Sequence, residues 1–218
     1  MHRISVLTVH HLGRSQSERI VWLCEELGMP YELKRYERDP ETRLAPPEYK
    51  ALHPVGTAPV ITDGDEVVLG ESGAIIEYLL AKYGNGELAP RLGDPEYSNY
   101  LYWLHFANSS FQALLHRTLA VQRVAPKGHR SLADLQARLE RMLGHINQRL
   151  GEAQYLAGNE LTAADIMIVF SFTTMRSFTP YDLKPYPNIL AYLKRIAARE
   201  AYQRAMKKGD PGMPLLLE

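Results

Sequence analysis

The sequence predicts two unlike parts, an α/β segment with a mixed four-stranded sheet followed by an all-α segment. Three observations predict it. Strand and helix signals alternate as far as Tyr83. An Asp63-Gly64-Asp65 turn joins two short apolar runs, a strong hairpin signal. Beyond Pro95 the strand signal vanishes and helical periodicity takes over.

The elements follow in order. Ile4 to Val9 is a β-branched run with the length of a buried strand. A loop is expected over His10 to Ser15. Ser17 to Leu27 places Ile20, Val21, Leu23, Cys24 and Leu27 at helical spacing, and Gly28 and Pro30 stop that helix. Tyr31 to Tyr36 is a second strand. This β-α-β order implies two parallel strands with a right-handed crossover. Glu48 to Leu52 fits a short helix, Ala58 to Asp63 and Glu66 to Leu69 are the hairpin strands, and Glu71 to Tyr83 closes the unit as a helix. A hairpin added to a βαβ unit gives a mixed sheet with helices on its faces. The expected boundaries are a first domain over 1–83, a linker over 84–95 and a helical domain over 96–218. Helices are expected over Tyr97–Leu119, Ser131–Leu150, Thr162–Thr174 and Ile189–Lys207. Leu161-Thr162-Ala163-Ala164-Asp165-Ile166 is a capping box with a hydrophobic staple, a helix-start device rather than a catalytic carboxylate.

Composition narrows the function. The chain has 218 residues and a formal net charge of +0, so no global field favours nucleic acid or an anionic membrane. One cysteine, Cys24, excludes an intramolecular disulfide framework. No signal peptide and no membrane-spanning run is apparent, so a cytoplasmic protein is expected. His10 and His11 lack partners at metal-ligand spacing, and no metal site is expected. Cys24 lies on the apolar side of its helix, where a thiol behaves as a small hydrophobe.

Three loops can carry chemistry. The turn after the first strand, His10 to Ser17, lies where α/β units bind ligands and precedes a helix N-terminus that favours negative charge. Ser15 and Ser17 suit either helix capping or donation to a bound anion. In His53-Pro54-Val55-Gly56-Thr57-Ala58-Pro59, proline enters a strand at its first residue. A cis bond there would turn the Ala58 backbone outward to pair with an extended peptide, although X-Pro bonds are mostly trans. Gly70-Glu71-Ser72-Gly73 opens a helix. Its carboxylate can hold an ammonium, and its hydroxyl and free amides a carboxylate, or the same two residues can simply cap the helix.

These features, in this order, resemble the glutathione transferase family. His10-His11-Leu12 with Ser15 and Arg19, Trp22 to Gly28, Leu44 to Tyr49, Pro54 to Pro59 and Glu71 to Ile75 are similar to its serine-type bacterial and fungal subgroup. The resemblance covers essentially the whole chain. It implies a thioredoxin-like N-terminal domain and an all-helical C-terminal domain. It also implies glutathione as co-substrate, a small hydrophobic electrophile as second substrate, a role in detoxification and a homodimer in which each first domain packs on its partner's second. Position by position, Ser15 becomes the thiol-activating hydroxyl and Pro59 the cis-proline. Ala58 pairs with the cysteinyl part, and Glu71 and Ser72 grip the γ-glutamyl end. Thr57 departs from the Lys or Arg of many relatives, leaving His53, Lys50 and Arg43 as candidates for the glycine carboxylate. Asn108 stands where relatives often carry an acidic residue. Leu12, Tyr102, Trp103, Phe106 and Phe111 are candidate walls of an electrophile pocket. A non-catalytic glutathione-binding or regulatory module is the alternative, since this fold serves both. No cysteine occupies the loop position that glutaredoxin-type chemistry needs.

The energetics suffice without a metal or a general base. A thiol with pKa ~8.5 is only a few per cent ionised at neutral pH. Lowering it by about two pH units takes ~2.7 kcal/mol of preference for the thiolate. A serine hydrogen bond to the sulfur anion contributes roughly 1.5–3 kcal/mol, and a helix N-terminus about 0.3–1 kcal/mol.

Overall fold

The structure, a computed structural model, describes residues 6–126 and 128–217. Strand β1 spans Leu7–Leu12 and pairs in parallel with β2, Glu32–Tyr36. Ile4 and Ser5 of the expected first strand lie outside the described residues. The strand continues past Val9 because His10, His11 and Leu12 still pair with Lys34, Arg35 and Tyr36. The expected loop over His10 to Ser15 is therefore half strand. Polar residues are tolerated there because each histidine finds its own buried partners, as a buried ring nitrogen requires.

Strands β3 (Val60–Asp63) and β4 (Val67–Gly70) complete a mixed sheet of order β2-β1-β3-β4. β3 is antiparallel to both of its neighbours. Val60 stands opposite His10 on one side and Gly70 on the other. The end of β1, the start of β3 and the end of β4 thus meet at one edge of the sheet. That edge carries all three loops singled out above.

Side chains alternate across a strand. Leu12, Tyr36 and Val60 share a face with Tyr49 of the short helix α2, Pro47–Lys50. Helices α1 (Glu18–Glu26) and α3 (Ser72–Tyr83) pack together and against β1 and β4 respectively. Their Ile20, Val21, Leu23, Cys24, Ile75, Ile76 and Leu79 are fully buried. Each such aliphatic side chain contributes about 1.5–3 kcal/mol on burial.

The chain divides into two compact units, Met1–Glu87 with Ala198–Pro214, and Leu88–Ala197 with Leu215–Glu218. The expected single helix over Ile189–Lys207 is two, α8 (Pro187–Ala197) and α9 (Glu200–Gly209), broken at Arg199, whose backbone is extended. The break lets α8 pack on α6 in the second unit while α9 packs on α1 in the first. Trp22 meets Tyr202 edge-on at 4.9 Å. Arg199 grips Glu26 as a fork, at 2.7 and 2.8 Å. Glu25 pairs with Arg204 at 3.0 Å, with Lys208, and with the Tyr31 hydroxyl at 2.6 Å. Glu25 of α1 is buried because Arg204 and Lys208 of α9 bring its counter-ions.

The second unit holds α4 (Tyr97–His105), a π-helical turn (Phe106–Gln112), α5 (Ala113–Val124), α6 (Arg130–Glu152), α7 (Ala163–Phe172), a 3₁₀ turn (Thr174–Ser177) and α8. The π turn interrupts the helix expected over Tyr97–Leu119. Every residue of α7 is buried, so this helix forms the centre of the unit. Its capping box is made: the Asp165 carboxylate accepts from the Thr162 and Leu156 backbone N–H groups and from the Tyr192 hydroxyl. Among the described residues, no helix is long and apolar enough to cross a membrane.

Candidate functional site

The turn between β1 and α1 holds a chain of four polar side chains. Ser15 Oγ lies 2.7 Å from Ser17 Oγ and accepts the Ser17 backbone N–H at 3.2 Å. Ser17 Oγ lies 2.9 Å from His11 Nδ1 and accepts the Leu12 N–H at 3.1 Å. His11 Nε2 lies 3.1 Å from Asp210 Oδ2, and the Arg14 N–H donates to Asp210 Oδ1 at 2.9 Å. Ser17 and His11 are fully buried, whereas Ser15 keeps 6% of its surface exposed. Ser15 is the outer end of the chain. Burial works against ionisation of Asp210, but the His11 hydrogen bond, the charge that ring carries once protonated, the Arg14 N–H and the Arg35 charge hold its carboxyl below the usual range.

The neighbouring histidine faces the other way. His10 Nδ1 meets the Tyr36 hydroxyl at 3.0 Å and Nε2 meets Thr62 Oγ1 at 3.2 Å. Burial and the Lys34 charge push its pKa down. The two rings point to opposite faces of the sheet and share no partner in the contacts described.

Across the same sheet edge, the Ala58-Pro59 bond is cis. Glu71 sits at φ +70°, a conformation unusual for a residue with a side chain, and it is exposed. Ser72 is buried; its hydroxyl lies 3.3 Å from Arg19 Nη1 and 3.4 Å from Gln16 Oε1. Arg19 also donates to Gln16 Oε1 at 2.8 Å. Burial pushes the Arg19 guanidinium down to about 9, with Glu18 opposing, so it remains cationic at neutral pH. The β1–α1 turn and the start of α3 are thereby tied around one buried cation. The His53 ring packs on Gly70, where an added Cβ would come within 3.3 Å of it, and its Nδ1 accepts the Val55 N–H. Lys50 is exposed. Arg43 lines a polar cleft of the same unit with Arg14, Arg38 and Asp210.

The relevant comparisons concern nearly the full chain. Residues 14–82 match the family model for the glutathione S-transferase N-terminal domain, and residues 120–208 the model for its C-terminal domain. Glutathione S-transferase 3 of Schizosaccharomyces pombe is 32% identical, with 93% of this chain and 88% of that protein covered. The chain belongs to the glutathione S-transferase family. A crystal structure of a glutathione S-transferase from Actinobacillus pleuropneumoniae is 36% identical, with a TM-score of 0.85 over 94% of this chain and 93% of its own. A theta-class glutathione S-transferase from Xanthomonas axonopodis, solved with glutathione bound, is 25% identical, with a TM-score of 0.70 over 92% of this chain and 97% of its own.

In this family member the candidate residues separate into groups. Ser15, Ala58, Pro59, Glu71 and Ser72 lie on the three loops of one sheet edge, with His53 beside Gly70. Leu12 is buried in the cluster with Tyr36, Tyr49 and Val60. Phe111 is fully buried, against Phe172 at 5.2 Å and Tyr181 at 6.4 Å. Tyr102 and Phe106 stack at 5.6 Å and border an open groove with Leu101, His105, Ser109 and Ser110. The sequence reading missed Gln16, a role for His11, and Asp210. Gln16 lies one residue from Ser15 in the turn already suspected. Nothing local to Asp210 marks it.

Cys24 is fully buried, and burial with the adjacent Glu25 pushes its thiol up to about 12. It is not a nucleophile at neutral pH.

Proposed function

We propose that this protein is a serine-type glutathione S-transferase that binds glutathione at the sheet edge and ionises its thiol with Ser15. The observation that carries the reading is the Ser15 hydroxyl, held at the outer end of a buried chain just before α1 and at the same edge as Pro59, Glu71 and Ser72. An extended tripeptide pairs its cysteinyl backbone with Ala58, as an added strand does. Glu71 receives the γ-glutamyl ammonium. Ser72 and the N-terminal amides of α3 receive its carboxylate, with the Arg19 charge behind them. Lys50 and His53 serve the glycine end.

Ser15 then donates to the sulfur anion, and the N-terminus of α1 adds its dipole. The thiolate attacks an electrophilic carbon, or a peroxide oxygen in a side reaction. Tyr102 and Phe106 offer the apolar wall for a small hydrophobic electrophile, with the Phe111 ring stacked behind Phe106 at 6.4 Å. The protein acts in the cytoplasm as a homodimer. Calorimetric titration with glutathione, followed by a panel of aryl halides, enals and hydroperoxides, tests this. Saturable binding with turnover of one or more of these compounds is expected. Binding without turnover would favour a regulatory module, and absence of binding would remove the reading altogether.

A further inference from the structure

We propose that His11, held by Asp210, is the acceptor of the thiol proton, which reaches it through Ser15 and Ser17. This deepens the glutathione reading above and rests on it. The argument is one of proton bookkeeping along the chain. Each serine has one hydroxyl proton, and the Oγ–Oγ distance of 2.7 Å requires one proton between the two serines. Asp210 is a carboxylate, so Nε2 of His11 carries the proton that faces it. In the neutral ring Nδ1 is then an acceptor and takes the Ser17 hydroxyl proton at 2.9 Å, nearer than the Leu12 carbonyl at 3.4 Å. The proton between the serines must come from Ser15. Its hydroxyl therefore points inward and leaves a lone pair toward an incoming thiol.

Ionisation reverses the chain. The S–H bond breaks and its proton joins Ser15 Oγ, the Ser15 proton passes to Ser17 Oγ, and the Ser17 proton passes to His11 Nδ1. The balance is thiol plus imidazole giving thiolate plus imidazolium, with Asp210 ionised throughout. Every donor now points outward: Nδ1–H to Ser17, Ser17 O–H to Ser15, Ser15 O–H to the sulfur. Ser17 still accepts the Leu12 N–H, and Ser15 still accepts the Ser17 N–H. No hydrogen bond is lost, and the new cation forms beside a buried carboxylate.

The charged groups around this pair are few. Asp210 follows α9, and Arg35 stands opposite His11 on β2 with its Nε–H on the Gly209 carbonyl at 2.7 Å. Arg14 and Arg38 flank the Asp210 carboxylate, with Glu37 in the same cleft. Asp210 is the anion in hydrogen-bond contact with the ring. Neither His11 nor Asp210 needs to touch glutathione; both are positioning residues acting through the serines.

The experiment follows the proton. Glutathione binding at neutral pH is measured by calorimetry in buffers of different ionisation heats, with thiolate formation read from ultraviolet absorbance. The wild type is expected to form thiolate while releasing no proton to the buffer. Asp210→Asn keeps the shape of the site and removes the charge. Its acid limb of kcat/KM is expected to move up by about one pH unit, a roughly tenfold loss at neutral pH that disappears in alkali. Asp210→Glu should recover part of the loss. His11→Gln, checked for folding by circular dichroism, should behave like Asp210→Asn. S-methylglutathione has no thiol proton and should bind wild type and Asp210→Asn alike. One proton released per thiolate formed, or an acid limb unmoved in Asp210→Asn, would overturn the relay. A loss that is equal at every pH and extends to S-methylglutathione would mean a merely structural role and overturn it too. If Ser15→Ala alone raises the thiol pKa, the relay falls and the serine reading stands. If the wild type fails to bind S-methylglutathione, both fall.

Discussion

Glu71 holds a strained backbone at the helix start proposed to receive the γ-glutamyl end. Its φ of +70° is unfavourable for any residue with a Cβ, at about 1–3 kcal/mol. Its side chain is exposed. Glu71→Gly is expected to raise thermal stability by about 1 kcal/mol, because glycine takes that conformation without strain. The same change should weaken glutathione binding, because the ligand ammonium loses its counter-charge. Calorimetric unfolding and calorimetric titration on one pair of proteins check both halves. Lower stability would remove the strain, and unchanged binding would remove the γ-glutamyl assignment. Ser15→Ala should lower kcat/KM by roughly 10–200-fold, the equivalent of one hydrogen bond to a charged partner. Its glutathione affinity should change less at low pH, where the thiol is neutral in both proteins. Steady-state rates unchanged across pH would exclude Ser15 as the activator. At this scale the legible residues were those in short motifs: Ser15 before a helix, Pro59 at a strand entry, Glu71-Ser72 at a helix start. His11 and Asp210 were not legible as a pair because 199 positions separate them. Only the packing of α9 brings them together.

Among the elements, the capping box before α7 behaved as its sequence implied, yet Asp165 does more than cap. It is fully buried and holds the Leu156 N–H and the Tyr192 hydroxyl besides Thr162. Removing a cap alone costs about 0.5–2 kcal/mol, and each buried donor left unpaired costs about 1–3 kcal/mol more. Asp165→Ala should therefore destabilise the protein by about 3–5 kcal/mol with little change in glutathione affinity for the folded fraction. Urea unfolding checks the first part, and a loss under 1.5 kcal/mol would mean the network is redundant. The α1–α9 pairing is different in kind. Burial opposes ionisation of Glu25, but hydrogen bonds from Lys208, Tyr31 and Arg204 hold its carboxyl below the usual range. A carboxylate depressed in the folded state adds stability that is full above its unfolded pKa of about 4.3 and is lost as pH falls through the folded value. Glu25→Gln should thus be less stable than wild type by about 1–2 kcal/mol at neutral pH, since its two cationic partners are half exposed. The gap should close in acid, and a gap independent of pH in urea titrations would exclude the ion pairs as its source. The break between α8 and α9 was illegible because Arg199 carries no helix-breaking chemistry. Apolar periodicity runs through it, and the stop is imposed by where each half packs. The two histidines misled the strand boundary for a similar reason, since polarity suggests a loop until partners across the sheet are known.

For the whole molecule, assembly turns on the Tyr97–Leu119 segment. Its apolar residues exceed the single stripe that one core requires. One explanation is a helix buried centrally in its own domain, but α7 occupies that place, with all ten residues buried. On α4, Tyr100, Trp103 and Leu104 turn inward, while Leu101 and Tyr102 remain 36% and 50% exposed. Tyr102 stacks on Phe106 in the groove proposed for the electrophile, so Leu101 is the side chain offered to a partner chain. A stable interface of about 800 Å² per partner draws on 20–30 residues a side, so Leu101 forms at most part of its apolar centre. Sedimentation equilibrium at micromolar protein is expected to give about twice the 24.8 kDa chain mass. Leu101→Glu places a charge where apolar contact is expected and should shift the distribution toward single chains, without unfolding, because the side chain is not part of the core. A wild-type mass near 24.8 kDa at every concentration would remove the dimer. A dimer that tolerates Leu101→Glu would move the interface off α4.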